Sequence, residues 1–148
     1  MDAKTKTPIN YFFAGIISIV LIYFLFPDFN LIKFPYNLFG IVFLILGVWL
    51  ILKVWSLFKK NKTPESFEKS RVLVTKSLFK YSRNPMYIGK ILFLVGLCIL
   101  IGNVLSFIIP ILFYIAMDKL LIPLEEEKTL KDLGREYSNY KKRVRRWI

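Results

Sequence analysis

Long runs of uncharged, apolar residues restrict this chain to folds in which helices cross a membrane. Residues 9–26, 34–52 and 91–117 contain no charged side chain. An α-helix needs about 20 residues to cross the hydrocarbon of a bilayer, and each run is close to that length or longer. A small soluble domain buries only about 60–70% of its surface. Since 55% of the 148 residues are hydrophobic, these runs cannot all be hidden in a soluble core. The sequence therefore predicts a polytopic membrane protein that folds as one domain, residues 1–148.

The last apolar run can form either one long tilted helix or two helices. Gly102-Asn103, a pair that favours turns, lies in its middle. Lysines and arginines crowd residues 59–83 before the run and residues 128–146 after it. Cytoplasmic loops carry an excess of these residues, and both segments share one side of the membrane only if the run is a helical hairpin. We therefore predict four transmembrane helices, at 9–26, 37–58, 85–101 and 104–124, with both termini cytoplasmic.

The residues after the fourth helix form an amphipathic pattern. Apolar residues recur at intervals of three and four, which is the spacing of one face of a helix: Leu130, Leu133, Tyr137, Tyr140, Val144 and Trp147. Lys and Arg flank this stripe. The pattern predicts a cytoplasmic amphipathic helix at 125–146 that lies at the membrane interface and contacts lipids. The predicted fold class is all-α, with four membrane helices and this interfacial helix.

Charge and composition exclude several function classes. The formal charge of +12 comes from basic residues beside apolar spans, which favours contact with anionic lipid headgroups over nucleic acid. The chain has no histidine and a single cysteine, Cys98. It therefore has no histidine base and no internal disulfide, and we expect no metal site. The first apolar run ends in Pro27-Asp28 without a small-residue cleavage pattern, so we expect no cleaved signal peptide.

A polar segment at 82–89 stands directly before the third predicted helix. Pro85 favours an extended Asn84 and the first position of a helix. Unpaired amide groups at such a helix start can receive a carboxylate. Tyr87 adds an aromatic face with a hydroxyl group, and Gly89 permits close approach of a ligand or helix. These residues predict a pocket of mixed polarity at the membrane boundary.

Three consecutive carboxylates, at 125–127, follow the fourth predicted helix. Acidic residues are stabilised near a helix N-terminus, and this explanation suits Glu125 and Glu127. Glu126 instead shares the face of the apolar stripe, so it points inward and needs a cation or a hydrogen-bonding ligand. Arg83 is the natural cation. An Arg83–Glu126 ion pair that closes the bundle and a ligand pocket between the two segments are both compatible with the sequence.

An ordered set of motifs resembles the isoprenylcysteine carboxyl methyltransferase family. The related phospholipid N-methyltransferases share its core, an Arg-His-Pro-x-Tyr segment followed after a hydrophobic stretch by Glu-Glu. In this chain the matching pieces are Leu73-Val74-Thr75, the run from Phe79 to Gly89, Glu125-Glu126-Glu127, Gly134-Arg135-Glu136-Tyr137 and residues 140–147. They cover residues 71–148, about half of the chain.

The resemblance implies an integral membrane enzyme that uses S-adenosylmethionine without a Rossmann domain. The chain agrees in having no glycine-rich dinucleotide fingerprint. The resemblance implies that the basic segment 59–84 is a cofactor loop, that Arg83 and Glu126 are catalytic, and that a lipophilic acceptor enters from the bilayer. The implied cofactor contacts are Arg71, Val72, Leu73, Val74, Phe79, Asn84, Pro85, Met86, Tyr87, Glu125 and Glu126.

The chain departs from the family pattern at two places. The motif histidine is replaced by Asn84, which can hydrogen-bond but cannot act as a base near neutral pH. The second departure concerns the family glutamate. The spacing to Leu130 aligns Glu126 with it, whereas the spacing back from Gly134 aligns Glu125. Glu126 is favoured because it lies on the apolar face of the helix.

Three functions are compatible with these observations. An acceptor with a carboxylate or a thiolate needs little acid–base help, so we expect methylation of an isoprenylcysteine-like carboxylate or a small hydrophobic thiol or carboxylate. Methylation of a phospholipid or another amine is the alternative within enzymes. The third possibility is a non-catalytic membrane accessory protein with the same fold.

Overall fold

The computed structural model describes residues 8–60, 75 and 77–148, and all of their long elements are helices. Five helices follow in order: α1 Pro8–Leu25, α2 Phe39–Lys60, α3 Pro85–Ile101, α4 Ile108–Ala116 and α5 Ile122–Arg143. Short 3₁₀ turns at Pro27–Phe29, Tyr36–Leu38, Ser77–Lys80 and Leu105–Phe107 lie between them. The described residues form no sheet, and one isolated bridge joins Asn30 and Asn103. The predicted all-α class is therefore confirmed.

The helices have the length and composition of an integral membrane protein. Pro8–Leu25, Tyr36–Lys60 and Leu105–Arg143 are long and apolar enough to cross a bilayer, and Pro85–Ile101 is a shorter apolar helix. Large apolar side chains on the outer faces of α1 and α2 remain exposed, among them Phe13, Phe24, Ile45 and Trp49. Such surface is stable against lipid and costly in water.

The fourth span and the tail helix form one rod instead of two separate elements. A π-helical turn, Met117–Leu121, joins α4 to α5 without a break. The sequence places a new helix near residue 125, whereas the backbone is helical from Ile108 through this junction and up to the kink at Gly134. The π-helical turn contains one more residue than an α-helical turn but does not interrupt the helix, so the backbone continues through the junction.

Glycines let α2 and α3 pack backbone to backbone. A Cβ added to Gly47 would lie 2.7 Å from the carbonyl oxygen of Gly89, and one added to Gly40 would overlap the carbonyl oxygen of Gly96. Side chains at these positions would force the two helices apart. This contact holds the start of α3, and with it residues 82–89, beside α2.

The apolar face of α5 packs on protein. Tyr137 and Tyr140 form a buried cluster with Val54 of α2 and Phe79 of the Ser77–Lys80 turn. Leu130 is more exposed, at 43%. The predicted amphipathic helix is therefore present, but most of its stripe covers the end of α2 and the turn before α3. This packing brings α5 against residues 79–87.

Gly134 and the end of α5 change the direction of the backbone. Gly134 has φ 51° and ψ −121°, which an L-residue rarely adopts, and marks a kink in α5. The helix ends at Arg143, and Val144 is extended, with φ −121° and ψ 131°. Residues 144–147, called the tail segment below, then run back towards the start of α3.

Candidate functional site

Glu126 is the centre of a buried ionic cluster at one end of the bundle. Its side chain is 6% exposed and forms ion pairs with three cations. Arg83 Nη1 lies 3.1 Å from Oε1, Lys141 Nζ 2.9 Å from Oε2, and Arg146 Nη2 3.2 Å from Oε2. The hydrogen bond from Arg146 to Glu126 raises the pKa of Arg146 above that of an ordinary guanidinium, which keeps it charged. We call these four residues the Glu126 cluster.

Arg83 has donor capacity left after its contact with Glu126. Its side chain is 9% exposed. Among the described residues, no acceptor forms a hydrogen bond with Arg83 Nε. A buried donor of this kind carries a desolvation cost until an acceptor arrives. Three cations surrounding one carboxylate also give the cluster an excess of positive charge. Both features suit an anionic ligand group such as a carboxylate.

The tail segment forms one side of this cluster. The amide of Arg83 donates to the carbonyl of Arg145 at 3.0 Å. Asn84 Nδ2 and Ser82 Oγ donate to the carbonyl of Arg146 at 3.0 and 3.3 Å. The Ser82 hydroxyl oxygen also accepts from the amide of Asn84 at 3.1 Å. These hydrogen bonds therefore hold residues 82–84 and the tail segment side by side.

Asp118 connects the cluster to the membrane helices. It lies on the π-helical turn, and its Oδ1 accepts from Arg146 Nη1 at 3.1 Å and from Trp147 Nε1 at 2.9 Å. Arg146 therefore bridges two carboxylates, Asp118 and Glu126. The Trp147 ring packs on Tyr114 of α4, with ring centroids 4.8 Å apart.

A second polar group surrounds Tyr87, on the first turn of α3. Tyr87 is 6% exposed, and its hydroxyl donates to Glu125 Oε1 at 2.8 Å. Lys90, 8% exposed, places Nζ 5.3 Å from the centre of the Tyr87 ring. Glu125 belongs to a helix continuous with α4, so no unpaired helix start explains its position. The helix-dipole interpretation of Glu125 is therefore replaced by a specific contact with Tyr87.

Most of the predicted site residues within the described part of the chain lie together. Glu126, Arg83 and Asn84 meet at the cluster, Tyr87 contacts Glu125, and Phe79 accepts at its carbonyl from Tyr140 Oη at 2.7 Å. Pro85 opens α3, and Met86 packs beside the Phe79–Tyr140 cluster. Arg71, Val72, Leu73 and Val74 lie outside the described residues. The roles of all these side chains remain predictions.

Sequence reasoning missed the residues that complete the two polar groups. Asp118 and Lys90 are single charges at the edges of apolar runs, and Lys141 and Arg146 are two of many basic residues in the tail. A charge bordering a membrane span is costly unless it is paired, and this signal could have singled out Asp118 and Lys90. Nothing in the sequence distinguishes Arg146 from Arg145 or Arg143.

Comparison with known proteins places this arrangement in a family. The model for phospholipid methyltransferases matches residues 36–136, which is more than half of the chain. The chain belongs to the phospholipid methyltransferase family. The match includes residues 82–89, the hairpin that follows and the three glutamates. The family is one of membrane methyltransferases, and the predicted relationship is confirmed.

The fold is also found in a solved structure. The eukaryotic intramembrane Ras methyltransferase, an isoprenylcysteine carboxyl methyltransferase, is 23% identical and superposes with a TM-score of 0.71. The superposition covers 91% of this chain and 49% of that one, so the chain spans about half the length of that enzyme. An uncharacterized protein of Haemophilus influenzae is 33% identical over 63 residues, which are 43% of this chain and all of the relative.

Proposed function

We propose that this protein transfers a methyl group from S-adenosylmethionine to a lipophilic acceptor at the membrane boundary. The observation that supports it most directly is the Glu126 cluster. Within a chain of the phospholipid methyltransferase family, it places a buried carboxylate, an incompletely bonded arginine and the start of α3 at one end of the bundle. Closing the helix bundle would need only one cation beside Glu126, whereas the cluster has three.

The residues present fit the polar parts of this cofactor. S-adenosylmethionine, when bound, supplies an activated methyl group on a sulfonium, and its amino-acid end carries a carboxylate and an ammonium. Arg83 Nε and the Asn84 side chain would hold the carboxylate, and Glu126 would hold Arg83 in place for it. Tyr87 and Met86 lie beside them on the first turn of α3. The 71–74 segment is proposed as a further contact.

The acceptor is proposed to approach from the bilayer. Pro85 and Tyr87 are buried, while Leu124 next to Glu125 is 52% exposed on the outer face. A lipophilic molecule would therefore be positioned by the membrane itself. An acceptor carboxylate or thiolate needs only to be held in line and away from water, and positioning of this kind can supply several kcal/mol of barrier reduction, about 7–11 in favourable cases. The surrounding cations would stabilise such an anion.

A second candidate acceptor is an amine, and the Tyr87–Glu125 pair favours it. An ammonium must lose a proton before it can attack a methyl group. Glu125 Oε1 already accepts a hydrogen bond from Tyr87 and lies close to the cluster along the same helix. A carboxylate in this position can receive the proton of an amine acceptor directly. The same residue has no such task if the acceptor is a carboxylate or a thiolate.

Isothermal titration of the purified full chain with S-adenosylmethionine tests cofactor binding. We expect binding by the wild-type protein, and Glu126→Gln weakens it because Arg83 loses the carboxylate that holds it in place. Glu127→Gln is the matched control, since Glu127 is 60% exposed and pairs with Lys131 on the surface. If millimolar cofactor does not bind, or if both variants bind as tightly as wild type, the enzyme proposal fails and an accessory protein with this fold is the better description.

Transfer of a radioactive methyl group distinguishes the acceptors. The wild-type protein is incubated with labelled S-adenosylmethionine and either an S-prenylated cysteine or vesicles of phosphatidylethanolamine. Label in the prenylated cysteine supports a carboxylate acceptor, and label in the phospholipid supports the amine. In the second case Glu125→Gln is expected to lower kcat by about 10²–10⁴-fold, which is the usual value of general base catalysis. Unchanged kcat in that variant would remove Glu125 from the mechanism.

A further inference from the structure

The tail segment contributes to the Glu126 cluster but belongs to no regular element. It begins where α5 ends at Arg143, and its Arg146 supplies both a guanidinium to Glu126 and a carbonyl to Asn84 and Ser82. The position of Arg146, and with it the charge at the Glu126 cluster, therefore depends on where this segment lies. A short segment outside any helix or sheet is not held by a regular backbone, so its position depends on the contacts that it makes elsewhere.

Two residues of the tail segment, Arg146 and Trp147, hold it to the membrane helices, and their contacts lie on one stretch of helix, at Tyr114 and Asp118. Asp118 accepts from Trp147 Nε1 and from Arg146 Nη1, and the Asp118 carbonyl accepts a further bond from Arg146 Nη1 at 3.3 Å. The Trp147 ring packs on Tyr114, one helical turn before Asp118. The Asp118 side chain is 13% exposed, so these bonds are largely shielded from water.

The π-helical turn brings Asp118 and Glu126 onto one side of the rod. A π-helical turn adds one residue to a turn of helix and rotates the side chains that follow relative to a continuous α-helix. Met117 and Leu121 of this turn are buried, while Asp118 between them points to the tail segment. Glu126 stands two turns further along the same rod. Asp118 and Glu126 thus approach Arg146 from one helix, and Arg146 is held between them.

We propose that Asp118 and Trp147 form a latch that positions the tail segment over the Glu126 cluster and so sets the affinity of the site for its ligand. Asp118 and Trp147 are positioning residues in this proposal, because they act through Arg146 and the backbone of residues 145–146. The identity of the ligand as S-adenosylmethionine rests on the proposed function. The existence of the latch does not.

Two independent measurements on the full chain test the latch. The first needs no ligand: in a protein with Trp49→Phe and Trp55→Phe, Trp147 is the remaining tryptophan, and acrylamide quenching reports its accessibility. We expect Asp118→Asn to increase this quenching, because the indole N–H loses a charged acceptor. Glu127→Gln, which neutralises an exposed carboxylate elsewhere on the same rod, is expected to leave quenching unchanged.

The second measurement is the dissociation constant for S-adenosylmethionine, obtained by isothermal titration. Asp118→Asn and Trp147→Ala are expected to raise it about tenfold, which is what a loss of one charge-assisted hydrogen bond at the cluster gives. Trp147→Phe keeps the ring on Tyr114 but removes the N–H donor, so its value should lie between those of Trp147→Ala and wild type. The same variants should raise the KM for cofactor and leave kcat at saturation nearly unchanged. A general loss of folded protein would instead lower the amount of active enzyme.

Each result decides one part of the proposal. If quenching of Trp147 increases and the affinity for cofactor does not change, the positioning role is overturned, because release of the tail segment then has no effect on the site. Unchanged quenching in Asp118→Asn overturns the latch itself. If no variant, including wild type, binds the cofactor while quenching still increases, the latch contact is upheld, its coupling to this ligand is refuted, and the proposed function fails separately.

Discussion

At the scale of single residues, the site is organised by the number of partners that each charge has. Glu126 was predicted to point inward and to need a cation, and the structure gives it three. The helical register predicted its direction, because Leu133, Tyr137 and Tyr140 lie on the same face. The partners from residues 141 and 146 could not be chosen from the sequence, since the direction of the chain after Gly134 depends on a backbone angle that only tertiary packing fixes.

Replacing Glu126 removes the one carboxylate that Arg83, Lys141 and Arg146 share. We expect Glu126→Gln to lower stability by about 2–3 kcal/mol, which is less than a fully buried pair because Lys141 and Arg146 are partly exposed. Thermal unfolding in detergent measures the change. Glu127→Gln should unfold close to wild type, since an exposed surface ion pair contributes little to stability. Equal midpoints for the two variants would show that the cluster does not stabilise the fold.

At the scale of elements, hydrophobic periodicity predicted the helices, and their junctions depended on packing. Apolar runs and Pro85 were sufficient to place helices near 9–26, 37–58 and 85–101. The boundary between the fourth span and the tail helix was not visible, because charge begins at Asp118 while the backbone stays helical through Met117–Leu121. The sequence suggested a surface helix whose stripe faces lipid. Aromatic residues at the ends of α2 and before α3 instead offer that stripe a protein surface.

The glycines of α2 provide a test at this scale. Gly47→Ala should destabilise the protein, because the new Cβ would lie 2.7 Å from the Gly89 carbonyl oxygen and 2.7 Å from the Phe93 amide nitrogen. Overpacking of this kind typically costs about 1–3 kcal/mol. Gly15→Ala in α1 is the matched control, since its Cβ would meet side chains at 3.4 Å or more. That substitution should be neutral or slightly stabilising, because alanine favours a helix. Equal stabilities would contradict the close packing of α2 and α3.

At the scale of the whole molecule, polar contacts are concentrated at the two ends of the bundle. One end joins the turns at 26–30 and 102–106, where Asn103 Nδ2 donates to Phe26 and Asn30 oxygens at 2.9 and 2.7 Å. The other end holds the Glu126 cluster, residues 82–84 and the tail segment. The hairpin was predicted from the Gly102-Asn103 pair and from charge. The buried Asn103 amide adds a physical reason for the turn, because its hydrogen bonds hold it against residues 26–30. The side of the membrane on which each end lies remains a prediction.

Membrane orientation can be tested with single cysteines in closed vesicles. Cys98→Ser removes the native thiol and keeps a donor for the Ser106 carbonyl. Into this protein we would introduce Lys80→Cys, Arg143→Cys or Asp28→Cys and add a maleimide that does not cross membranes. The hairpin places Lys80 and Arg143 on one side and Asp28 on the other, and the excess of Lys and Arg puts the first two inside. In vesicles with the cytoplasmic side enclosed, only the Asp28→Cys protein should therefore react before detergent is added, and all three should react afterwards. If Arg143→Cys reacts and Lys80→Cys does not, residues 85–124 cross the membrane once. Arg83 and Glu126 would then lie on opposite sides, and the Glu126 cluster could not form.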